Sequence, residues 1–226
     1  MIPAKKNRFW AWGFDQIIYP LLKKHFQEIY VYGSIPQHVN RTLYIINHSV
    51  WWDPILIYLL NQKLIKSDGY AMMHESGLRK HPIFKRIGGF SIDRNNPKDI
   101  IESLQYAVEK LHDDKSVWMF PQGDEQPFDQ RPLGFQSGAS YIIEKVQDLN
   151  VIPISIMYTF QSTKKANIYV FIGSNPMHES YASLKREDKT RFLEQICTQQ
   201  LDTLKQRVLE QDVQDAIPLL RRNQSG

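Results

Sequence analysis

The sequence has 226 residues and a single cysteine, Cys197. One cysteine cannot form an internal disulfide or a zinc site made of several thiolates, so disulfide-rich secreted domains and cysteine-based zinc modules are excluded. Cys197 falls in a stretch with helical spacing, where packing in the interior is its predicted role. The cysteine content therefore indicates a reducing, intracellular environment.

Long hydrophobic runs are also missing. No window approaches the roughly 20 consecutive apolar residues that are needed to cross a bilayer. The basic N-terminus leads into an interrupted aromatic segment instead of the continuous apolar core of a signal peptide. We therefore expect neither a transmembrane helix nor a secretory leader.

Several sequence signatures of enzymes are absent as well. The chain contains no Gly-x-Ser-x-Gly turn, no phosphate-binding Gly-x-x-x-x-Gly-Lys loop and no His-Glu-x-x-His pair. These absences argue against a serine hydrolase with a nucleophile elbow, a P-loop nucleotide hydrolase and a zinc protease. The formal charge of +4 is modest and no recognition motif accompanies it, so we expect no nucleic-acid partner.

The first 35 residues combine aromatic bulk with positive charge. Phe9, Trp10 and Trp12 stand among lysines and an arginine, a composition typical of a segment that lies in a membrane interface. The alternative is a helix that packs its apolar side on the domain while its lysines are solvated. We predict that residues 1–35 form an amphipathic segment in contact with a membrane surface.

Short apolar runs alternate with helical patterns along the rest of the chain. Six runs have the length, composition and flanking residues of buried strands, namely 42–47, 70–73, 90–93, 116–120, 151–156 and 168–172. Helices are predicted from Pro97, with Asn96 as the cap, and over residues 185–210. This alternation predicts an α/β fold with a central, mostly parallel sheet flanked by helices. We assign residues 36–212 to this domain and residues 213–226 to a C-terminal tail.

Residues 47–54 read NHSVWWDP and follow the apolar run 43–46. Inside one helix, His48 and Asp53 would lie about 140° apart and would not meet. If His48 lies in a turn between a strand and a helix, Asp53 can reach one imidazole nitrogen and leave the other for proton transfer. The spacing equally fits a strand-end histidine beside a carboxylate that only caps the following helix.

Two further strand ends carry polar or basic residues. The basic residues of 79–86 precede the Gly88-Gly89 pair, a short strand and Arg94, and arginine suits the binding of anionic oxygens. Residues 118–127 read WMFPQGDEQP, an apolar run that ends in a turn with polar side chains. A solvated helix face and an ordinary loop have similar sequences, but three strand ends of this kind describe one rim of a site.

The chain resembles the glycerolipid acyltransferases typified by lysophosphatidate acyltransferase. The resemblance covers about residues 42–156 and consists of four blocks in the family's order. The matching residues are Asn47, His48 and Asp53; Gly88, Gly89, Phe90, Ile92, Asp93 and Arg94; Phe120, Pro121, Gln122, Gly123, Asp124, Glu125 and Gln126, followed by Phe135 and Gly138; and Val151, Ile152, Pro153 and Ile154.

The resemblance implies acyl transfer from acyl-CoA or acyl carrier protein to a lipid hydroxyl on a membrane, at the cytoplasmic face of the cell membrane, with no cofactor and no metal. His48 would be the general base and Asp53 would orient it. Backbone amides near Gly123 would stabilise the tetrahedral oxyanion. The residues implied to bind substrate are Asn47, Arg94, Gln122, Gly123, Asp124, Glu125 and Arg131.

The third block departs from the family pattern. Gln122 replaces an acidic residue, Asp124 replaces a threonine, and Glu125 replaces the phosphate-binding arginine. Because Glu125 would repel a phosphate, either Arg131, Arg94 or the basic residues of 79–86 compensate, or the acceptor has a different head. A sugar hydroxyl of a glycolipid or glycosylated terpenoid, such as a carotenoid glycoside, is the alternative acceptor. A thioesterase that uses the same two residues, and a non-catalytic lipid-binding protein, remain open.

Overall fold

An eight-stranded sheet forms the centre of the protein in the computed structural model, which describes residues 1–161, 163–176 and 180–220. The strand order is β4-β3-β5-β2-β6-β7-β1-β8, and neighbours run parallel except in the β6–β7 and β1–β8 pairs. The strands are β1 (Phe26–Gly33), β2 (Thr42–Ile46), β3 (Gly69–His74), β4 (Gly89–Ile92), β5 (Ser116–Met119), β6 (Asn150–Thr159), β7 (Ala166–Ile172) and β8 (Ile217–Pro218).

Seven α-helices connect and cover these strands within the described residues. They are α1 (Arg8–His25), α2 (Asp53–Leu60), α3 (Glu75–Lys80), α4 (Ile83–Arg86), α5 (Pro97–His112), α6 (Gly138–Lys145) and α7 (Arg186–Leu209), and a π-helical turn, Asn61–Ile65, extends α2. The expected helix starting at Pro97 is confirmed, since the Asn96 side chain accepts the backbone N–H groups of Lys98 and Asp99.

Strand β2 lies at the centre of the sheet and is buried on both faces. Tyr44 and Ile46 pack with α1 and α2, whereas Leu43 and Ile45 pack with α5, α6 and α7. Because successive side chains of a strand point to opposite faces, a strand covered on both sides has a continuous apolar sequence. The predicted α/β class, with a mostly parallel sheet flanked by helices and an N-terminal helix, is confirmed.

The six predicted strands are all present, but β1 and β8 did not follow from the pattern. Strand β1 carries Gln27 and Glu28 in an otherwise apolar run. Glu28 is nevertheless buried, because its carboxylate accepts the backbone N–H groups of Ile29 and Leu220. The predicted segment 1–35 thus contains α1 and a strand of the sheet. The predicted tail contains β8, and residues 221–226 lie outside the described part.

Helix α1 begins after Asn7, whose side chain accepts the backbone N–H groups of Phe9 and Trp10. One side of α1 contributes Ile18 and Leu22 to the core beneath it. Its other side leaves large apolar residues in contact with solvent, namely Phe9, Trp10, Trp12 and Ile17. Among the described residues, no helix combines the length and apolar character needed to cross a bilayer.

Candidate active site

Three loops meet at the carboxyl edge of the parallel strands. They follow β2, β4 and β5, and β5 is hydrogen-bonded to β2 and joined to β4 through β3. This edge is where open α/β sheets place their ligands. The three blocks of polar residues seen in the sequence are therefore brought to one rim of the sheet.

His48 and Asp53 are in direct contact. The His48 Nδ1 atom lies 2.8 Å from the Asp53 Oδ2 atom, and the same oxygen accepts the backbone N–H groups of Ser49 and Val50 at 2.8 and 3.0 Å. His48 lies in the turn after β2, and Asp53 is the first residue of α2. The carboxylate holds the imidazole and the turn that precedes α2, whereas no side chain caps this helix, so the interpretation of Asp53 as only a helix cap is wrong.

The Asp53 side chain is fully buried, and Tyr158 on β6 donates a hydrogen bond from its hydroxyl to Asp53 Oδ1 at 2.7 Å. Burial of the phenol and the adjacent Asp53 carboxylate raise the pKa of Tyr158 well above its ordinary value. The hydroxyl is thus a permanent donor at neutral pH. Sequence reasoning did not include Tyr158, because it lies 105 residues from Asp53 and only the pairing of β6 with β2 brings it near.

Replacing Tyr158 with phenylalanine is expected to lower kcat/KM about tenfold. The change leaves Asp53 Oδ1 without this donor in a buried place, and a hydrogen bond to a charged group contributes about 1.5–3 kcal/mol. KM should stay within about twofold, since Tyr158 is absent from the wall of the large cavity described below. Steady-state kinetics and the pH profile of kcat/KM test this; an unchanged rate and profile would contradict it.

The backbone and ring of His48 are held by the loop after β5. The imidazole stacks on the Phe120 ring with centroids 4.2 Å apart. The His48 N–H donates to Gln122 Oε1 at 2.6 Å, and the His48 carbonyl accepts the Gln126 N–H at 2.9 Å. With Nδ1 bonded to Asp53, Nε2 is the nitrogen left for a substrate.

Asn47 and Gln122, both predicted to bind substrate, make internal hydrogen bonds. The Asn47 amide donates to the Ile156 carbonyl at 3.0 Å and accepts the Ile156 N–H at 2.7 Å. Gln122 is buried and accepts the His48 N–H. Neither residue lies in the wall of the large cavity described below. Both side chains therefore position the segment that carries His48.

Arg94, Gly123 and Asp124 form a compact group. Arg94 Nη1 lies 2.7 Å from Asp124 Oδ2. Gly123 has φ = +81°, and a Cβ atom added there would lie 2.4 Å from Arg94 Nη1. Glycine is required at this turn because a larger residue would be strained and would displace the guanidinium. The Gly123 N–H donates to the Phe120 carbonyl at 3.0 Å, so this amide closes the turn.

His48 opens into a cavity of about 890 Å³. Its wall includes Arg94, Gly123 and Glu125 from the predicted set, together with Trp51 and Phe120. This volume falls in the range of small-molecule sites.

Arg131, also in the predicted set, is not part of this wall. Its guanidinium donates to the Phe128 and Gln130 carbonyls and pairs with Asp202 on α7. The structure therefore brings Arg94 and Glu125 together with His48 and keeps Arg131 apart, in contact with α7.

A family model for acyltransferases matches residues 28–157. The chain belongs to the acyltransferase family. All nine predicted site residues fall within the matched region, which ends one residue before Tyr158. No protein of curated function matches the chain.

A solved structure similar to this acyltransferase is the 1-acyl-sn-glycerophosphate (LPA) acyltransferase PlsC from Thermotoga maritima. It aligns with a TM-score of 0.61 and 19% sequence identity, over 86% of this chain and 80% of PlsC. At this identity the likeness establishes the fold that the two proteins share.

A second, smaller cavity of about 260 Å³ adjoins the first in this acyltransferase. The two share five wall residues, Pro54, Met72, Met73, Phe84 and Phe120. The smaller cavity extends between α1, α2 and β3, where most of its lining is apolar. The site thus continues from His48 and Arg94 toward α1 through a cavity whose mostly apolar wall also includes Lys6 and Asp68.

Proposed function

We propose that this acyltransferase moves a fatty acyl group from a thioester donor, acyl-CoA or acyl carrier protein, to a hydroxyl of a glycerolipid acceptor. The observation that carries the proposal is the His48 imidazole, fixed at Nδ1 by buried Asp53 and open at Nε2 to a cavity large enough for both reacting groups. The fold shared with an LPA acyltransferase supports a glycerolipid acceptor.

In the proposed mechanism, His48 Nε2 takes the proton of the acceptor hydroxyl as the oxygen attacks the thioester carbonyl. Asp53 stabilises the imidazolium that forms, and Tyr158 and the Ser49 and Val50 amides hold Asp53 in place. The tetrahedral intermediate then collapses, the carbon–sulfur bond breaks, and the imidazolium returns its proton to the leaving thiolate. The products are an ester and a free thiol.

Oxyanion stabilisation is assigned to the loop after β5. The Gly123 N–H already donates to the Phe120 carbonyl, and the Gln126 N–H donates to the His48 carbonyl. The donors we propose are therefore the backbone N–H groups of Asp124 and Glu125. A well-placed donor contributes about 3–4 kcal/mol to such an intermediate. The acyl chain is assigned to the smaller cavity, because its walls are mostly apolar and it adjoins the cavity that contains His48.

The decisive experiment measures thiol release from palmitoyl-CoA, and in parallel from palmitoyl-acyl carrier protein, by the purified protein in mixed micelles, with and without a lysolipid or monoacylglycerol acceptor. We expect release to depend on the acceptor and an acylated acceptor to appear in mass spectra. Equal release without acceptor would show hydrolysis of the thioester instead. Lipid binding without release under any condition would identify a non-catalytic protein.

We also propose that α1 places the enzyme on a membrane surface, at the cytoplasmic face of the cell membrane, as a peripheral protein. The exposed aromatic residues of α1 lie beside Lys5 and Arg8, and Trp51 at the cavity mouth is half exposed. Such a surface suits the headgroup region of an anionic bilayer. A lipid acceptor would then reach the cavity from the membrane.

Replacing Trp12 with alanine is expected to weaken binding to vesicles of phosphatidylcholine and phosphatidylglycerol about tenfold. Removing an indole from the interface lowers the free energy gained by apolar burial on membrane binding by about 1.5–3 kcal/mol. Sedimentation with vesicles measures the change, and Leu209→Ala, a similarly exposed apolar residue at the end of α7, is the matched control. Equal losses in the two variants would remove α1 as the contact surface.

A further inference from the structure

Within the described residues one arginine, Arg94, lines the large cavity, and the loop after β5 brings two carboxylate residues to the same region. Arg94 is paired with Asp124, and Glu125, the next residue, lines the same cavity. In the part of the chain that the structure describes, no ion pair joins Glu125 to a cation. The positive charge of Arg94 is thus paired with one carboxylate, and a second, exposed carboxylate lines the same cavity.

The other basic residues of the cavity wall belong to α3 and its ends. The His74 Nδ1 atom accepts the Ser76 N–H as a helix cap, and Lys80 is exposed. The His81 ring lies parallel to the ring of half-exposed Trp51, with the two ring centroids 6.3 Å apart. These groups line the same cavity from α3 and its ends, and within the described residues no ion pair joins them to Asp124 or Glu125.

A phosphomonoester at Arg94 would carry up to two negative charges. It would have to displace the exposed Asp124 side chain from the guanidinium and would share the cavity wall with exposed Glu125, so like charges would meet there. Hydroxyl groups face neither penalty, since they donate to carboxylates and accept from arginine.

We propose that the acceptor has an uncharged head group with several hydroxyls, as in a glycerol or sugar head, and that Glu125 selects it by accepting hydroxyl protons in hydrogen bonds. The proposal rests on the acyl transfer proposed above and specifies its acceptor. Gln136 and Ser137, which also line the cavity, add polar groups of the same kind.

The test compares kcat/KM for three acceptors with one acyl-CoA donor: lysophosphatidate, a monoacylglycerol and dodecyl glucoside. We expect kcat/KM for the better of the two uncharged acceptors to exceed that for lysophosphatidate at least tenfold. Comparing the monoacylglycerol with dodecyl glucoside then shows whether a glycerol or a sugar head supplies the hydroxyls. Preference of the wild type for lysophosphatidate would overturn the proposal while leaving acyl transfer intact. Absence of thiol release with every acceptor, from acyl-CoA and from acyl carrier protein alike, would reject the acyl transfer itself.

Two variants of Glu125 test whether this residue sets the preference. Glu125→Gln should raise kcat/KM for lysophosphatidate several-fold and lower it for the uncharged acceptors. Glu125→Arg should produce both changes to a greater extent. Glu109→Gln, which removes an exposed carboxylate on α5 outside the cavity wall, is the matched control and should change neither. Equal changes for all three acceptors in the Glu125 variants would contradict a role in selection.

Discussion

Acyl transfer by a His48→Ala variant is expected to be about 10²–10⁴ times slower than that of the wild type, and its free energy of unfolding about 1.5–3 kcal/mol lower because buried Asp53 loses a hydrogen-bond donor. A positioned general base contributes a factor of this size, and alanine leaves no group to take the proton of the acceptor. The imidazole contacts Asp53 and Phe120 at the cavity edge. Its loss therefore leaves the apolar cores on the two faces of the sheet in place.

The matched control is His81→Ala, which removes another histidine from the wall of the same cavity. The mechanism does not use His81, so we expect its kcat to stay within a few-fold of the wild-type value. Thermal unfolding followed by circular dichroism separates loss of chemistry from loss of fold. A His48→Ala variant that turns over at more than about a tenth of the wild-type rate would exclude general-base catalysis by this residue.

The second large effect is expected for Asp53→Asn, which should lower both activity and stability. The carboxylate accepts from His48, two backbone amides and Tyr158, whereas an asparagine must point its NH₂ group at some of these donors. We expect kcat/KM to fall about 10³-fold, because the imidazole loses its orientation and its counter-charge. The free energy of unfolding should fall by about 2–4 kcal/mol, because a buried hydrogen-bonded charge is lost.

Glu28→Gln is the matched control for the stability effect. Glu28 is also buried and also accepts two backbone N–H groups, but it lies on β1 at the opposite side of the sheet from β4. This variant should lose stability and keep kcat. If Asp53→Asn and Glu28→Gln lost activity to the same extent, the activity loss would reflect folding and not the chemistry of His48.

The sequence predicted those parts of the site in which the position of a residue is determined by residues close to it in the chain. The apolar run 43–46 predicts β2, and the turn after it brings Asp53 back onto His48 within five residues. Likewise, Gly123 marks a turn with positive φ. Such local features follow from strand pattern and turn chemistry.

Features that depend on distant parts of the chain did not follow from the sequence. Tyr158 and Arg131 are placed by the packing of β6 and α7, which no local pattern reports. Strand β1 was missed because the burial of Glu28 depends on a partner 192 residues away. Asn47 matches the family's first block, yet only the structure shows that its amide is bonded to Ile156.

The Asn47–Ile156 contact has a consequence for how the site can change during evolution. Ile156 and Tyr158 point to the same face of β6, so fixing the first relative to β2 also fixes the second beneath Asp53. A slip of one residue between the strands would turn Tyr158 to the opposite face. Asn47 thus fixes the register of β6 relative to β2. Insertions should be tolerated in the outer loops of this enzyme but not between Asn47 and Asp53 or within β6.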